Sequence, residues 1–457
     1  MMIIPKGLSI LCQFVVSRGR TRSRERDDQN QGSEDDHNSI LWPPKHTKRK
    51  RSSRTVLLAL QQSSSTRETI NEELVEICDR VGGNDECLSN LNLCSYAIGN
   101  PGLMYLSDFL TANRYIHTIN LKYSFIGDEG AISLAYALSC REAAPPLEVL
   151  NLTGNHVSVL GCEALGIMLE HCPVRELCLS NNAFGDRGFE LLSVGLFNVK
   201  LLQVNGIQLS DAGLAKFAHT LKHCTIIGLA GNQCTSKGIT SLTRHLDQTT
   251  SLVLSRNEIG DGGCASLGRQ LDILTISHLD LSHCGISDYG AAMIAKGVEH
   301  SSHITFLSMH SNSIGDTGCT ALVDALSENK TLRVLKLWRN RIGDAGAACI
   351  GRGLSSNHVL RSLNLSFNKI STQGAVGLSI GLRKNDTLEE LNLEFNKILA
   401  SGASALLSAL EENRTVVDLK LYPEYHISKR MKHLLNRNKK SKPMWDKSLE
   451  VCKAIYA

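Results

Sequence analysis

The stretch "LRVLKLWRNRIGDAGAACIGRGLSSN" (332–357) is followed by "LRSLNLSFNKISTQGAVGLSIGLRKN" (360–385) and "LEELNLEFNKILASGASALLSALEEN" (388–413). The three are one pattern written three times, and that pattern decides the fold. In the first copy Leu335 and Leu337 alternate with Val334, Lys336 and Trp338, the period of two expected of a strand with one buried face. Asn340 follows, where its amide can satisfy backbone groups as the chain leaves the strand. Next comes Ile342-Gly343-Asp344, and Asp344 reads as the N-cap of a helix with Leu and Ile at helical spacing. The copies differ at one conspicuous place, since Ser366 and Glu394 stand where the first copy has Trp338.

Working outward, the asparagine position recurs at Tyr96, Ser124, Asn155, Asn182, Ile207, Asn232, Asn257, Cys284, Asn312, Asn340, Asn368 and Asn396. A degenerate further copy has Glu424 there. Spacings run from 25 to 31 and settle at 28 from Cys284 onward, the range of leucine-rich repeats. A unit of one strand and one helix cannot bury both apolar faces alone, so neighbours must stack. Parallel strands about 4.8 Å apart line the inside and bulkier helices the outside, which bends the stack into a horseshoe. The fold class expected is an α/β leucine-rich-repeat solenoid of about 12–13 repeats.

Residues 88–424 resemble the ribonuclease-inhibitor-like class of these repeats. The resemblance rests on the helical outer half and on recurrent N-x-I-G-D-x-G-A, as in "NSIGDTGCTALVDAL" (312–326) and "NRIGDAGAACIGRGL" (340–354). It implies a protein that grips another macromolecule, as NOD-like-receptor sensor halves and Ran GTPase-activating proteins do. The 457 residues carry no P-loop, so a complete NOD-like receptor is not expected. Ran GTPase-activating proteins typically follow their repeats with an acidic tail, whereas "KRMKHLLNRNKKSK" here is basic.

The net charge of +4 conceals a partition: residues 1–69 hold 13 Lys/Arg and 7 Asp/Glu, and residues 425–457 hold 9 and 2. An acidic body with 27 basic and 36 acidic residues therefore carries two basic tails. Residues 1–68 read as a disordered basic segment, too polar to offset their ordering entropy. Residues 69–87 read as an N-terminal capping helix begun at Thr69, and residues 425–457 as a C-terminal cap helix and basic tail. In that helix Ile427, Met431, Leu434 and Leu435 form an apolar face. The run "KHTKRKRSSR" (45–54) places Lys45, Lys48, Arg49, Lys50, Arg51 and Arg54 together as a candidate nuclear-import signal. The apolar stretch 8–16 with its following arginines is read as an unstructured leader rather than a targeting peptide.

The 15 cysteines are odd in number and without any C-x-x-C pair, which argues for reduced thiols in a cytoplasmic or nuclear protein. Cys162, Cys264 and Cys319 fall at one inward template position and read as small core residues. No run approaches the roughly 20 apolar residues of a membrane span. The five N-x-S/T sequons at Asn151, Asn329, Asn364, Asn385 and Asn413 are read as chance in a chain this rich in Asn, Ser and Thr.

Strand positions that point outward from the core should form columns on the concave face. Ser282, His310 and Asp280 invite a hydrolase reading, but an open strand face offers no oxyanion hole or sheltered pocket, so no enzyme is expected. His278, His283 and His310 lack metal-ligand spacing, so neither metal nor cofactor is expected. The glycines of "IGDxG" lack the P-loop ending and serve repeat geometry. Aromatics do not interleave the basic run, which argues against nucleic-acid reading. What remains is partner binding by His278, Asp280, Phe306, His310, Lys336, Trp338, Glu390, Glu394 and Tyr422, side chains of the kind found in interface hot spots. The function expected is thus a non-catalytic, monomeric scaffold or adaptor that takes a protein partner on its concave face. A regulator of a small Ran-like GTPase is the alternative.

Overall fold

A computed structural model of the chain describes residues 72–140, 147–422 and 428–441. Thirteen three-residue strands, from β1 (Asn90–Asn92) to β13 (Asp418–Lys420), form one parallel sheet in chain order. Register is set by the central leucine: Leu307, Leu335, Leu363 and Leu391 lie side by side. Each strand leads into a helix on the opposite side, and because helices are wider than strands the sheet becomes the inner wall.

The repeats are not uniform. From β8 (His278–Asp280) onward the strands recur every 28 residues, through β9 (Phe306–Ser308), β10 (Val334–Lys336), β11 (Ser362–Asn364) and β12 (Glu390–Asn392). Helices here run 11 to 13 residues, as in α9 (Asp288–His300), α11 (Asp344–Leu354) and α12 (Thr372–Lys384). Between β4 (Glu176–Cys178) and β7 (Ser251–Val253) the spacing drops to 25 residues. There α6 (Asp211–Phe217) and α7 (Ser236–Leu242) shrink to seven residues each, continued by 3-10 turns.

Two hydrogen-bonded spines hold the units together. At the first, Asn340 Nδ2 donates to the carbonyls of Leu337 (3.0 Å) and Met309 (3.1 Å), and its Oδ1 accepts from Ile314 N–H (3.1 Å). Asn368 repeats this geometry one unit on. Where the slot is not asparagine, Ser124 and Cys284 still donate across the repeat boundary, to the Leu93 and Leu254 carbonyls. The second spine, at the return from helix to strand, is built by Asn329, Asn357, Asn385 and Asn413, whose amides donate to the helix end of the unit before. Three of the N-x-S/T asparagines, Asn329, Asn385 and Asn413, are therefore buried structural donors.

The aspartate of "IGDxG" works differently from a local N-cap. Asp344 is the first residue of its own helix, and its side chain caps the next one. Its Oδ1 accepts from Ser371 N–H (2.7 Å) and Gly374 N–H (2.9 Å), and its Oδ2 from Ser371 Oγ–H (2.6 Å). Asp128, Asp211, Asp261, Asp288 and Asp316 do the same for the units that follow them. The donors at a helix start are satisfied from the neighbouring repeat, so each cap also staples two units. This explains the second glycine of the motif: a Cβ on Gly374 would sit 2.6 Å from Asp344 Oδ1.

The ends are closed by helices. Leu74, Cys78 and Val81 of α1 (Glu72–Gly82) are buried against the first repeat. At the far end α14 (Lys429–Ser441) buries Met431 and Leu434, while Arg437 and Asn438 donate to the Asn413 carbonyl. Thr69, Ile427 and the basic run 45–54 lie outside the described residues. The thirteen described cysteines are all free, and Cys162, Cys264 and Cys319 are fully buried. Burial pushes the thiols of Cys224 and Cys284 up to about 12, which leaves them unreactive.

Candidate functional site

The concave face divides into two sectors. In the first, carried by β8 to β10, Asp280, Ser308 and Lys336 are register neighbours. His278 stacks on Phe306 at 5.7 Å between ring centroids, and Lys336 Nζ lies 4.7 Å over the same ring. Phe306 is therefore only 4% exposed. The expectation that it protrudes fails because its strand neighbours are long enough to cover it. Asp280, 3% exposed, accepts from Ser282 N–H at 2.9 Å. Burial pushes its carboxyl up, and hydrogen bonds from Ser282 and Ser308 oppose that shift. Ser282 and Asp280 thus face each other, while His310 Nδ1 lies 3.1 Å from Ser311 Oγ.

Trp338 lies flat on His310, with centroids 4.0 Å apart and planes 17° apart, and His283 meets His310 edge-on at 5.5 Å. Burial, then the charges of His283, Lys336, Arg256 and Arg339, lower the His310 pKa to about 4. The imidazole is neutral at pH 7 and behaves as an aromatic plate. Trp338 and His310 are both half-buried, and the next repeat offers only Ser366 beside the indole.

The second sector spans β11 to β13. Glu390 accepts from Ser362 Oγ–H (3.0 Å) and Glu394 from Asn392 Nδ2 (3.2 Å), which holds both carboxylates on the strand face. Beside them Phe367 and Phe395 stack at 4.1 Å, and Phe395 and Tyr422 at 4.6 Å. These three rings are 47%, 45% and 50% exposed. Among the described residues no group of three or more His, Cys, Asp or Glu is placed to hold a metal ion.

Phe367 and Phe395 were not among the residues the sequence pointed to, and they occupy a special column. The residue before each asparagine slot has a left-handed backbone: Gly154, Asn181, Gly206 and Gly231 in the middle repeats, then Arg256, His283, Ser311, Arg339, Phe367 and Phe395, with φ between 53° and 69° throughout. Glycine and asparagine adopt this conformation readily, whereas a bulky side chain is strained there by about 1 kcal/mol. In the N-terminal half only Ser95 and Tyr123 break the preference, Tyr123 under the Lys122 ammonium at 5.3 Å. The signal was present in the sequence as the residue preceding each slot, but only the backbone angle gives it meaning.

A family model described as "Leucine Rich repeat" matches residues 112–135, 143–166, 250–268, 274–295, 300–323, 328–351, 356–379 and 384–407. Among curated proteins, the chain is 26% identical over 158 residues to "NACHT, LRR and PYD domains-containing protein 5" of Homo sapiens, covering 33% of this chain and 13% of that one. It is 36% identical over 85 residues to the ribonuclease inhibitor of Sus scrofa, covering 18% of each. The matched part thus spans less than a fifth of either relative. Among solved structures, an internalin (inlF) from Listeria monocytogenes is 18% identical, with TM-score 0.45, over 80% of this chain and 93% of that one. Leiomodin-1 actin-binding site 2 is 23% identical, with TM-score 0.26, over 30% and 79%. Thirteen stacked strand–helix units and eight repeat matches between residues 112 and 407 agree: the chain carries leucine-rich repeats and folds as a leucine-rich-repeat solenoid.

Proposed function

We propose that this protein is a non-catalytic scaffold or adaptor that holds a partner protein on the C-terminal half of its concave face. The observation that supports this most is the left-handed column. The fold is satisfied by glycine at those positions, as Gly206 and Gly231 demonstrate, yet the later repeats place Arg256, His283, Arg339, Phe367 and Phe395 there. Residues kept in a strained conformation that stability does not need point to a use outside the fold.

Within this reading the contact surface consists of His310, Lys336, Trp338, Glu390, Glu394 and Tyr422, with Phe367 and Phe395 at its edge. His278, Asp280 and Phe306 form the floor beneath them and set where Lys336 and the His310–Trp338 plate stand. A rigid sheet bearing large half-exposed aromatics suits a protein surface, because little side-chain entropy is lost on contact. A cytoplasmic or nuclear location accords with thirteen free cysteines, and among the described residues no helix is long and apolar enough to cross a membrane.

The test is to replace Trp338 and His310 with Ala, verify the fold by circular dichroism, and compare co-purified partners with those of the unaltered chain. Loss of a partner is the expected result. An unchanged partner list in a folded variant overturns the site.

A further inference from the structure

The rim beside the strand face carries a row of exposed cations, interrupted at the eighth and ninth repeats by His283, which burial and the charges of Arg256 and Arg339 hold below the usual imidazole range, and by Ser311. Arg256 and Arg339 stand in the left-handed column. Arg341, Lys369 and Lys397 stand two residues further along their units, each backbone N–H donating at 2.8 Å to the isoleucine carbonyl of the unit before. The shared backbone bond keeps these three in one column, repeat after repeat. Interleaved with them are the exposed edges of Phe367 and Phe395. No ion pair engages Arg256, Arg339, Arg341, Lys369 or Lys397 among the described residues, and Glu258 is the only carboxylate between Arg256 and Lys397 in either column. In a body that is acidic as a whole, with 36 acidic against 27 basic residues, such a strip is a local reversal of charge.

We propose that this strip receives an acidic, extended protein segment that runs across the strands from the seventh repeat to the twelfth. The proposal rests on the concave-face reading above and names the chemistry of the partner. Three features select that occupant. The cations are spread over five strand intervals, about 24 Å at ~4.8 Å each, so they match a row of carboxylates and are too far apart to clamp a single anion. That length corresponds to about seven residues of extended chain.

Second, both faces of Phe395 are covered, by Phe367 at 4.1 Å and by Tyr422 at 4.6 Å, so this ring offers its edge to the occupant. Ring edges carry the positive end of the quadrupole and attract anionic oxygen, whereas nucleobases need open ring faces on which to stack. Third, Glu390, Glu394 and Asp418 line the strand face directly inside the strip. A nucleic acid, with a phosphate charge at every nucleotide and no cationic group to set against carboxylates, would meet repulsion there. A peptide can set neutral or basic side chains against those carboxylates while its own acids face the rim.

The experiment uses the full chain and a fluorescein-labelled peptide of alternating Glu and Gly, read by fluorescence polarisation at low and moderate salt. Binding that weakens with salt, and falls by about tenfold in Arg339→Gln/Lys369→Gln, is the expected result. The control Lys296→Gln/Lys384→Gln removes two exposed cations from the helical side and leaves binding unchanged. No binding, or equal loss in the control, overturns the proposal. So does a labelled single-stranded RNA that binds more tightly than the peptide and responds to the same substitutions. Binding that emerges only after deletion of residues 25–36 also overturns it, because the occupant would then be the chain's own acidic stretch "ERDDQNQGSEDD". If Trp338→Ala/His310→Ala still loses its partner while the acidic peptide does not bind, the concave site stands and only the acidic strip falls.

Discussion

Repeats eight to ten and repeats eleven to thirteen share one backbone and differ in almost everything placed on it. The first sector covers its aromatics: His278 lies on Phe306, Lys336 reaches over that ring, and Trp338 closes over His310. The second leaves its aromatics open, with Phe367, Phe395 and Tyr422 stacked only on one another and roughly half exposed. One sector brings Lys336 and Arg339 to the surface; the other brings Glu390, Glu394 and Asp418. Since Asn340 and Asn396 make the same spine bonds in the two sectors, the contrast is independent of the fold. The repeat fixes where a side chain stands, and the free choice of residue decides what it does there.

That separation can be broken experimentally. The largest effect belongs to the shared frame. Asn340→Ala and Asn396→Ala each strip two carbonyls and an N–H of their partners, so both should destabilise by about 3 kcal/mol in urea unfolding. A difference of more than about 1 kcal/mol between them would mean that the sectors do not share one frame.

Next come the aromatics. Trp338→Ala removes a half-buried ring and should cost about 2 kcal/mol, against about 1 kcal/mol for the exposed Phe367→Ala. Equal costs would remove the distinction between covered and open sectors.

The left-handed column gives a change of opposite sign. Arg339→Gly relieves backbone strain and should leave stability unchanged or raise it by up to about 1 kcal/mol, whereas in Phe395→Gly the same relief is offset by about 1 kcal/mol or more of lost ring contact. Partner binding should weaken at the same time. Destabilisation with intact binding would show that these side chains serve the fold.

The smallest effect is a pH slope confined to the first sector. Burial and the charges of His283, Lys336, Arg256 and Arg339 lower the His310 pKa to about 4 in the folded chain, while the unfolded imidazole titrates near 6.5. Between those values the unfolded state binds more protons, so stability should fall as pH drops through the window. His310→Gln should flatten part of that slope in melting temperature between about pH 6.5 and 4.5. An unchanged slope would indicate that the imidazole is freely solvated rather than shielded beneath Trp338.

Much of the frame was legible in advance. The alternation around Leu335 and Leu337, the asparagine slot and the 28-residue period each follow from local spacing, and they recur often enough to be unmistakable. Less visible was the direction of the aspartate cap. Asp344 precedes a helix in the sequence, and only the stacking of units reveals that its carboxylate serves Ser371 and Gly374 of the following repeat. The second spine was hidden in the same way, since Asn329, Asn357, Asn385 and Asn413 look like ordinary polar helix ends. At the candidate site Trp338 stood out because it broke the pattern. Phe306 was expected in the open, because a sequence does not state that His278 and Lys336 will lean over it.

By itself, then, the sequence determined the repeat, the parallel sheet, the inward leucines and the columns into which outward residues fall, because these depend on periodicity and on burying apolar surface. The tertiary structure alone decided which outward side chains are covered, which donor satisfies which acceptor across a repeat boundary, and that the residue before each asparagine is left-handed. Those outcomes depend on contacts between residues about 28 positions apart, and no local pattern carries the distance between one unit and the next.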